Sequence, residues 1–317
     1  AYEAMGRRQW DSLASYAHAA KADHEIGAYP TYWFLRNHIN KADSLSPLDT
    51  VVLKNFIEDN PDTYMAERLK AEWIIKAAKL GEHRTAVALG PVNVNLTQAQ
   101  CALIQSQAVT GQRVGIREAL DVFKPGDSCW AMLETLNAQN RLSFEQLQPG
   151  LRDAVEYDNK HTARRYAGLV FSRAQLAQYD AIFNNPRAWI AQQSGSASSA
   201  LDAELRAIAF SRLARQDRNE GIQILNSTKL LNNEDKQWAY AQFGLVSVLN
   251  LENRSDAWYQ QSKDVALSDY NAAWRVRAAL RQPTVNWQRV KDTIEMMNKD
   301  QQQETAWVYW HSRALEE

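Results

Sequence analysis

Apolar residues recur along this chain at the spacing of one helix face. Ile116, Ala119, Leu120 and Phe123 fall at i, i+3, i+4 and i+7, and Pro125 ends the stretch. Cys129, Met132, Leu133 and Leu136 repeat the spacing, and Cys101, Ile104 and Ala108 give a thinner stripe. Thr97 with Gln100 reads as a capping box at the start of that stripe. There is no sustained alternation of period two and no Asn-Gly or Asp-Gly hairpin pair. The pattern predicts an all-α chain.

The helical stretches come in pairs around short polar turns. "AERLKAEWIIKAAKLGEHRTAVAL", "AQCALIQSQAVTGQRVGIREAL" and "CWAMLETLNAQNRLSFEQL" turn at Gly81, Gly111 and Asn140, 30 and then 29 residues apart. Similar turns follow near Gln216, Glu252 and Gln282. A helix–turn–helix unit repeating every ~30–36 residues predicts an α-solenoid of stacked tetratricopeptide-like hairpins, because no hairpin buries its apolar face alone. Between residues 150 and 200 the helical pattern persists but the turn spacing blurs. "QQSGSASSA" (192–200) reads as an inter-repeat loop or an internal hinge, with Ser199 placed to cap the next helix.

Composition agrees with helix. The 317 residues include only 12 glycines and 8 prolines. Thirty-six basic residues face 37 acidic ones, so net charge gives no reason to expect nucleic acid as a partner. No apolar run reaches the 18 or so residues of a membrane span. The first residues, "AYEAMG", read as those of a mature or trimmed protein.

The two cysteines stand 28 positions apart. Cys101 lies 10 residues before the Gly111 turn and Cys129 lies 11 before the Asn140 turn. They therefore take nearly the same place on the first helices of adjacent hairpins, whose axes run about 8–10 Å apart. A disulfide there is geometrically reasonable and would add roughly 3–4 kcal/mol on the chain-entropy model. Two free buried thiols are the alternative. No CxxC pair and no nearby histidine pair at ligand spacing points to a metal, and Cys129 on an apolar stripe does not suit a nucleophile. A bridge would place the chain in an oxidising compartment.

Several segments, in order, resemble the N-terminal superhelical (U) domain of the soluble lytic transglycosylases of Gram-negative bacteria. They are "YPTYWFLRNHI" (29–39), "FIEDNPDTYMAERLKAEWI" (56–74), "AQCALIQSQAVTGQ" (99–112), "SRLARQDRNEG" with "LLNNEDKQWA" (211–239), "WRVRAALRQ" (274–282) and "AWVYWHSRAL" (306–315). Cys129 falls where that family has the disulfide partner of the Ala-Gln-Cys helix. The resemblance implies a superhelix bent toward a ring and occupying all of residues 1–317. It implies a periplasmic location and a lysozyme-like catalytic domain that follows in sequence. That domain cleaves the β-1,4 bond between N-acetylmuramic acid and N-acetylglucosamine in peptidoglycan. It leaves a 1,6-anhydro end and uses one glutamate, unlike the paired carboxylates of most glycosidases. The family's catalytic Glu-Ser pair and its Gly-Leu-Met-Gln stretch are missing here, so no catalytic residue carries over. The expectation is a non-catalytic piece of a larger enzyme, inactive alone, without cofactor or metal. Its partners would be its own catalytic domain, peptidoglycan and other cell-wall enzymes. A free-standing tetratricopeptide-like scaffold that binds peptides, or a self-contained helical-toroid enzyme, are the competing readings of the same helical pattern.

Candidate chemistry is sparse. Glu156, Asp158 and His161 form the densest acid–base set, and their spacing reads as a solvated helix face. The six histidines stand singly, with His18 and His24 too far apart to share a face. Six of the 11 tryptophans lie from Trp238 onward. Trp307 and Trp310, at i and i+3, are the candidate glycan contacts, with core packing as the ordinary reading. Arginines in "ARRY" (163–166) and "RVRAALR" (275–281) are candidates to meet peptidoglycan carboxylates, or plain surface charge.

Overall fold

The structure, a computed structural model, describes residues 1–20, 23, 25–93 and 96–317. His24 lies outside the described residues. The described chain forms 21 helices and no strand. It divides into two compact units, Ala1–Leu142 and Ser143–Glu317.

The first unit holds α1 (Tyr2–Gly6), α2 (Trp10–Ala20), α3 (Tyr29–Lys41), α4 (Pro47–Asp59) and α5 (Tyr64–Lys79). It continues with α6 (His83–Ala88), α7 (Thr97–Val109), α8 (Ile116–Val122) and α9 (Asp127–Ala138). Here α3, α5, α7 and α9 pack in succession, and α4, α6 and α8 are the return helices. This is the stacked-hairpin order that the turns predicted. Each turn residue is in the left-handed region: Gly81 at φ 79°, Gly111 at 81° and Asn140 at 55°. Glycine and asparagine tolerate that conformation, which ends a helix and sends the chain back. Trp73, Leu69 and Ile74 of α5 are fully buried against Ile39, Leu53 and Ala102, so each hairpin's apolar stripe is closed by its neighbours.

Cys101 and Cys129 are joined by a disulfide between α7 and α9, with Cα atoms 4.8 Å apart. The helix start beside it differs from the expectation. Leu96, not Thr97, caps α7, no side chain closes that end, and the Thr97–Gln100 box is not formed. Thr97 is already the first helical residue, so its hydroxyl cannot reach forward as a cap would. Gln98 instead reaches across to α9, whose own cap position is Gly126. Its Oε1 accepts from the Ser128 backbone N–H at 3.0 Å, and its Nε2 donates to the Lys124 carbonyl at 3.2 Å. A Cβ on Gly126 would sit 2.4 Å from that amide. Glycine there makes room for a cap borrowed from the neighbouring hairpin. Gln105 donates to Thr135 and Gln139 to the Ala108 carbonyl, so amide bonds flank the disulfide along the same pair of helices.

The second unit holds α10 (Phe144–Glu156), α11 (Lys160–Val170), α12 (Arg173–Asn184), α13 (Pro186–Ala191) and α14 (Ala200–Gln216). Next come α15 (Arg218–Ser227), α16 (Asn233–Leu249), α17 (Ser255–Gln261) and α18 (Asp269–Leu280). It ends with α19 (Trp287–Glu295), α20 (Lys299–Gln302) and α21 (Thr305–Glu316). Helices α14, α16 and α18 pack side by side, with α15, α17 and α19 as returns. The blurred stretch resolves into α10–α13, with capping boxes at Ser143 and Ser172. Ser199 caps α14 as expected, accepting from the Asp202 N–H. Arg206 ties two loops together, donating to the carbonyls of Gly195 before α14 at 2.8 Å and of Leu230 before α16 at 3.2 Å. No helix among the described residues is long and apolar enough to cross a membrane.

Candidate functional site

The most concentrated polar chemistry lies inside the second unit, along one stripe of α10. Gln148, Arg152 and Glu156 follow one another at i, i+4 and i+8, so they project from the same face. Gln148 donates to Glu204 of α14 at 2.6 Å. Arg152 donates to Glu204 at 2.6 Å and to Asp235 of α16 at 2.8 Å, and its guanidinium lies 4.5 Å from the Trp238 ring.

Glu156 is 1% exposed, which overturns the reading of a solvated helix face at this position. Its carboxylate accepts from Trp238 Nε1 at 3.1 Å, Gln242 Nε2 at 2.6 Å and Asn271 Nδ2 at 3.0 Å. The Ser268 hydroxyl donates to its other oxygen. Burial pushes the carboxyl up, and these four donors pull it back toward ionisation. All the donors belong to α16 and the start of α18, so the group fastens α10 to both helices. Arg215 of α14 adds a bond to the Glu156 backbone carbonyl at 2.5 Å. The other two members of the sequence set lie outside this centre. Asp158 pairs with Arg212 in a left-handed turn, and His161 is exposed. Asp153, one turn before Glu156, is pushed up to about 6 by loss of water and then by the charges of Glu156 and Asp269.

The signal for this centre was the four-residue recurrence of long polar side chains within "QPGLRDAVE". Nothing local names the partners, because they lie 52 to 115 residues further along the chain.

The second concentration is aromatic. Trp307 is 3% exposed and packs into the core of α18, α19 and α21, donating its Nε1 to Glu304 at 3.1 Å. Arg277 spans Trp274 and Trp307, 4.9 and 5.0 Å from the two rings. Trp310 is half-buried and stacks on Trp287 at 6.5 Å with planes 23° apart. Tyr309, 60% exposed, meets Trp310 edge-on at 5.0 Å. The arginines of the sequence set divide. Arg164 is tied to Asp180 at 2.7 Å. Arg275 is no surface charge, being 2% exposed with its Nε lacking an acceptor among the described residues. Burial and the neighbouring Arg289 lower it to about 10. No group of three or more His, Cys, Asp or Glu among the described residues is arranged to hold a metal ion.

No family model matches the chain, and no curated protein matches it. Solved structures do. An inactive mutant of the lytic transglycosylase Slt from Pseudomonas aeruginosa superposes with a TM-score of 0.60 at 21% identity, over 98% of this chain and 52% of that one. The 70-kDa soluble lytic transglycosylase of Escherichia coli matches at 0.54 and 18% identity, over 99% of this chain and 51% of that one. A complex of a 70-kDa soluble lytic transglycosylase with bulgecin A matches at 0.54 and 19% identity, with the same coverage. The chain therefore spans about half the length of each, and what it shares with them is their all-α fold.

Proposed function

We propose that this chain is the non-catalytic helical scaffold of a periplasmic lytic transglycosylase. The parent enzyme would cleave the β-1,4 bond between N-acetylmuramic acid and N-acetylglucosamine in peptidoglycan and leave a 1,6-anhydro end. The observation that carries this reading is the coverage: the likeness takes in 98% of this chain but only 52% of the lytic transglycosylase it matches. The Cys101–Cys129 bridge supports it, since such a bond persists in an oxidising compartment. On this reading the reaction belongs to a catalytic domain outside these residues. The scaffold's partners are that domain, the peptidoglycan strand and other wall enzymes. Of the two tryptophans singled out by spacing, Trp310 has surface to offer a sugar ring beside Trp287 and Tyr309, whereas Trp307 is spent on the core.

The test is incubation of the purified chain with peptidoglycan sacculi, followed by sedimentation and mass spectrometry of the soluble fraction. The expected result is co-sedimentation with no 1,6-anhydromuropeptides above a blank. Anhydro products would show that these residues carry a catalytic site and would end the scaffold reading. Failure to sediment with sacculi would remove the wall as its partner.

A further inference from the structure

A sizeable cavity lies at the other end of the chain, in the first unit. It is about 640 Å³, within the ~300–1,000 Å³ of small-molecule sites, and opens between the start of α2 and one face of α3. A second cavity of about 160 Å³ adjoins it, with Trp10 and Asn37 lining both. Trp10 is thus a wall between two compartments of one groove.

The groove follows from how α3 is written. Tyr32, Leu35 and Ile39 are buried in the core, Trp33 and Phe34 pack half-buried against it at the groove's edge, and Asn37, Asn40 and Lys41 line the open side. Opposite it, the turn between α1 and α2 carries Arg8 in the left-handed region, φ 58°, and delivers Trp10 as the first residue of α2. Trp33 is braced by Tyr29 at 5.5 Å and Tyr2 at 6.2 Å.

The charges are unevenly committed. Arg36 is spent on Glu72 at 2.8 Å, and His38 is held by Asp49 at 2.8 Å. Arg8 and Lys41 make no ion pair among the described residues, and Lys41 rests 5.5 Å from the Trp10 ring. Asp11 is the one acid in the lining. The walls are helices, so an extended peptide finds no strand edge to pair with. Recognition must come from side chains: flat indole faces, the paired amides of Asn37 and Asn40, and two free cations. Indole faces suit the C–H faces of a pyranose ring, amides suit vicinal hydroxyls, and the cations suit a carboxylate.

We propose that the groove between Trp10 and the outer face of α3 binds an acidic saccharide, its ring against Trp10 and its carboxylate between Arg8 and Lys41. The site rests on the groove alone. Only the choice of a wall-derived sugar rests on the function proposed above.

The test is calorimetric and tryptophan-fluorescence titration of the full chain with four probes. They are N-acetylglucosaminyl-N-acetylmuramic acid, a hyaluronan tetrasaccharide, neutral N,N′-diacetylchitobiose and triglutamate. Both acidic saccharides should bind about tenfold more tightly than chitobiose, the difference that one charge-assisted contact supplies. Lys41→Glu and Arg8→Glu, both at exposed positions, should erase that preference while the fold is retained by circular dichroism. Trp10→Ala should weaken every saccharide. A distant Lys229→Glu should change nothing. Equal affinity for chitobiose, equal affinity for triglutamate, or binding indifferent to Lys41→Glu and Trp10→Ala would each overturn the proposal. The two readings separate cleanly. If hyaluronan binds and the muramic disaccharide does not, the groove stands and the wall sugar falls as its ligand, whereas failure of the chain to sediment with sacculi is what removes the wall as partner. If Trp10→Ala still sediments with sacculi and no saccharide titrates, the wall reading stands and the groove falls.

Discussion

A fully buried carboxylate survives only if hydrogen bonds replace the water it gave up. Glu156 has that replacement from Trp238, Gln242, Asn271 and Ser268. Glu156→Ala strands those donors, so it should cost about 3 kcal/mol, read as a lower denaturant midpoint with unchanged slope. Glu156→Gln should cost less, because the amides of Gln242 and Asn271 can turn over and offer oxygen. An equal or larger loss for the glutamine variant would contradict this account. The pH dependence has a definite sign. Asp153 and Glu156 are both raised in the fold, so the folded protein holds protons that the unfolded chain releases. Their contribution is full below the ordinary carboxyl range and is lost as pH rises through the folded value, about 6 for Asp153. Asp153→Asn should flatten stability between about pH 4 and 6, by under about 1 kcal/mol because the residue is exposed. At this scale the sequence was nearly mute. It showed Glu156 among charged neighbours and hid the four donors, which arrive from helices far along the chain.

The helices themselves were more legible, and the reason is local. Left-handed turns at Gly81, Gly111 and Asn140 need residues that tolerate positive φ, and those residues stand out in a helix-forming background. The apolar stripe Cys129, Met132, Leu133, Leu136 is wholly buried, as its spacing required. The failure at Thr97 is equally instructive. A Thr–x–x–Gln pattern is a capping box only if the helix starts one residue later than it does, and here Gln98 serves the next hairpin instead. Two of these cross-hairpin devices can be tested together. Reducing the disulfide should cost roughly 3–4 kcal/mol from the 28-residue separation, seen as a drop in Tm with reductant. Gly126→Ala should push the Gln98 amide away and uncap α9, for about 1 kcal/mol. A Gly126→Ala protein as stable as the parent would mean that the borrowed cap contributes nothing.

For the molecule as a whole, the likeness to lytic transglycosylases persists at 18–21% identity, which is what repeat architecture permits. Each hairpin needs an apolar stripe, a tight turn and a neighbour, and many sequences satisfy those terms. Stability in such a chain is local, so a perturbation should be felt mainly where its contacts are. The disulfide and the Glu156 centre lie in different compact units and share no bonding partner among the described residues. Hydrogen exchange can separate them. Reduction of Cys101–Cys129 should speed exchange in α7 and α9 and leave α10, α16 and the start of α18 protected. Glu156→Ala should do the reverse. The two destabilisations should also add within about 0.5 kcal/mol when combined. If either change instead loosened both units together, the chain would be one cooperative body. Each staple would then be holding the whole array rather than the hairpins it joins.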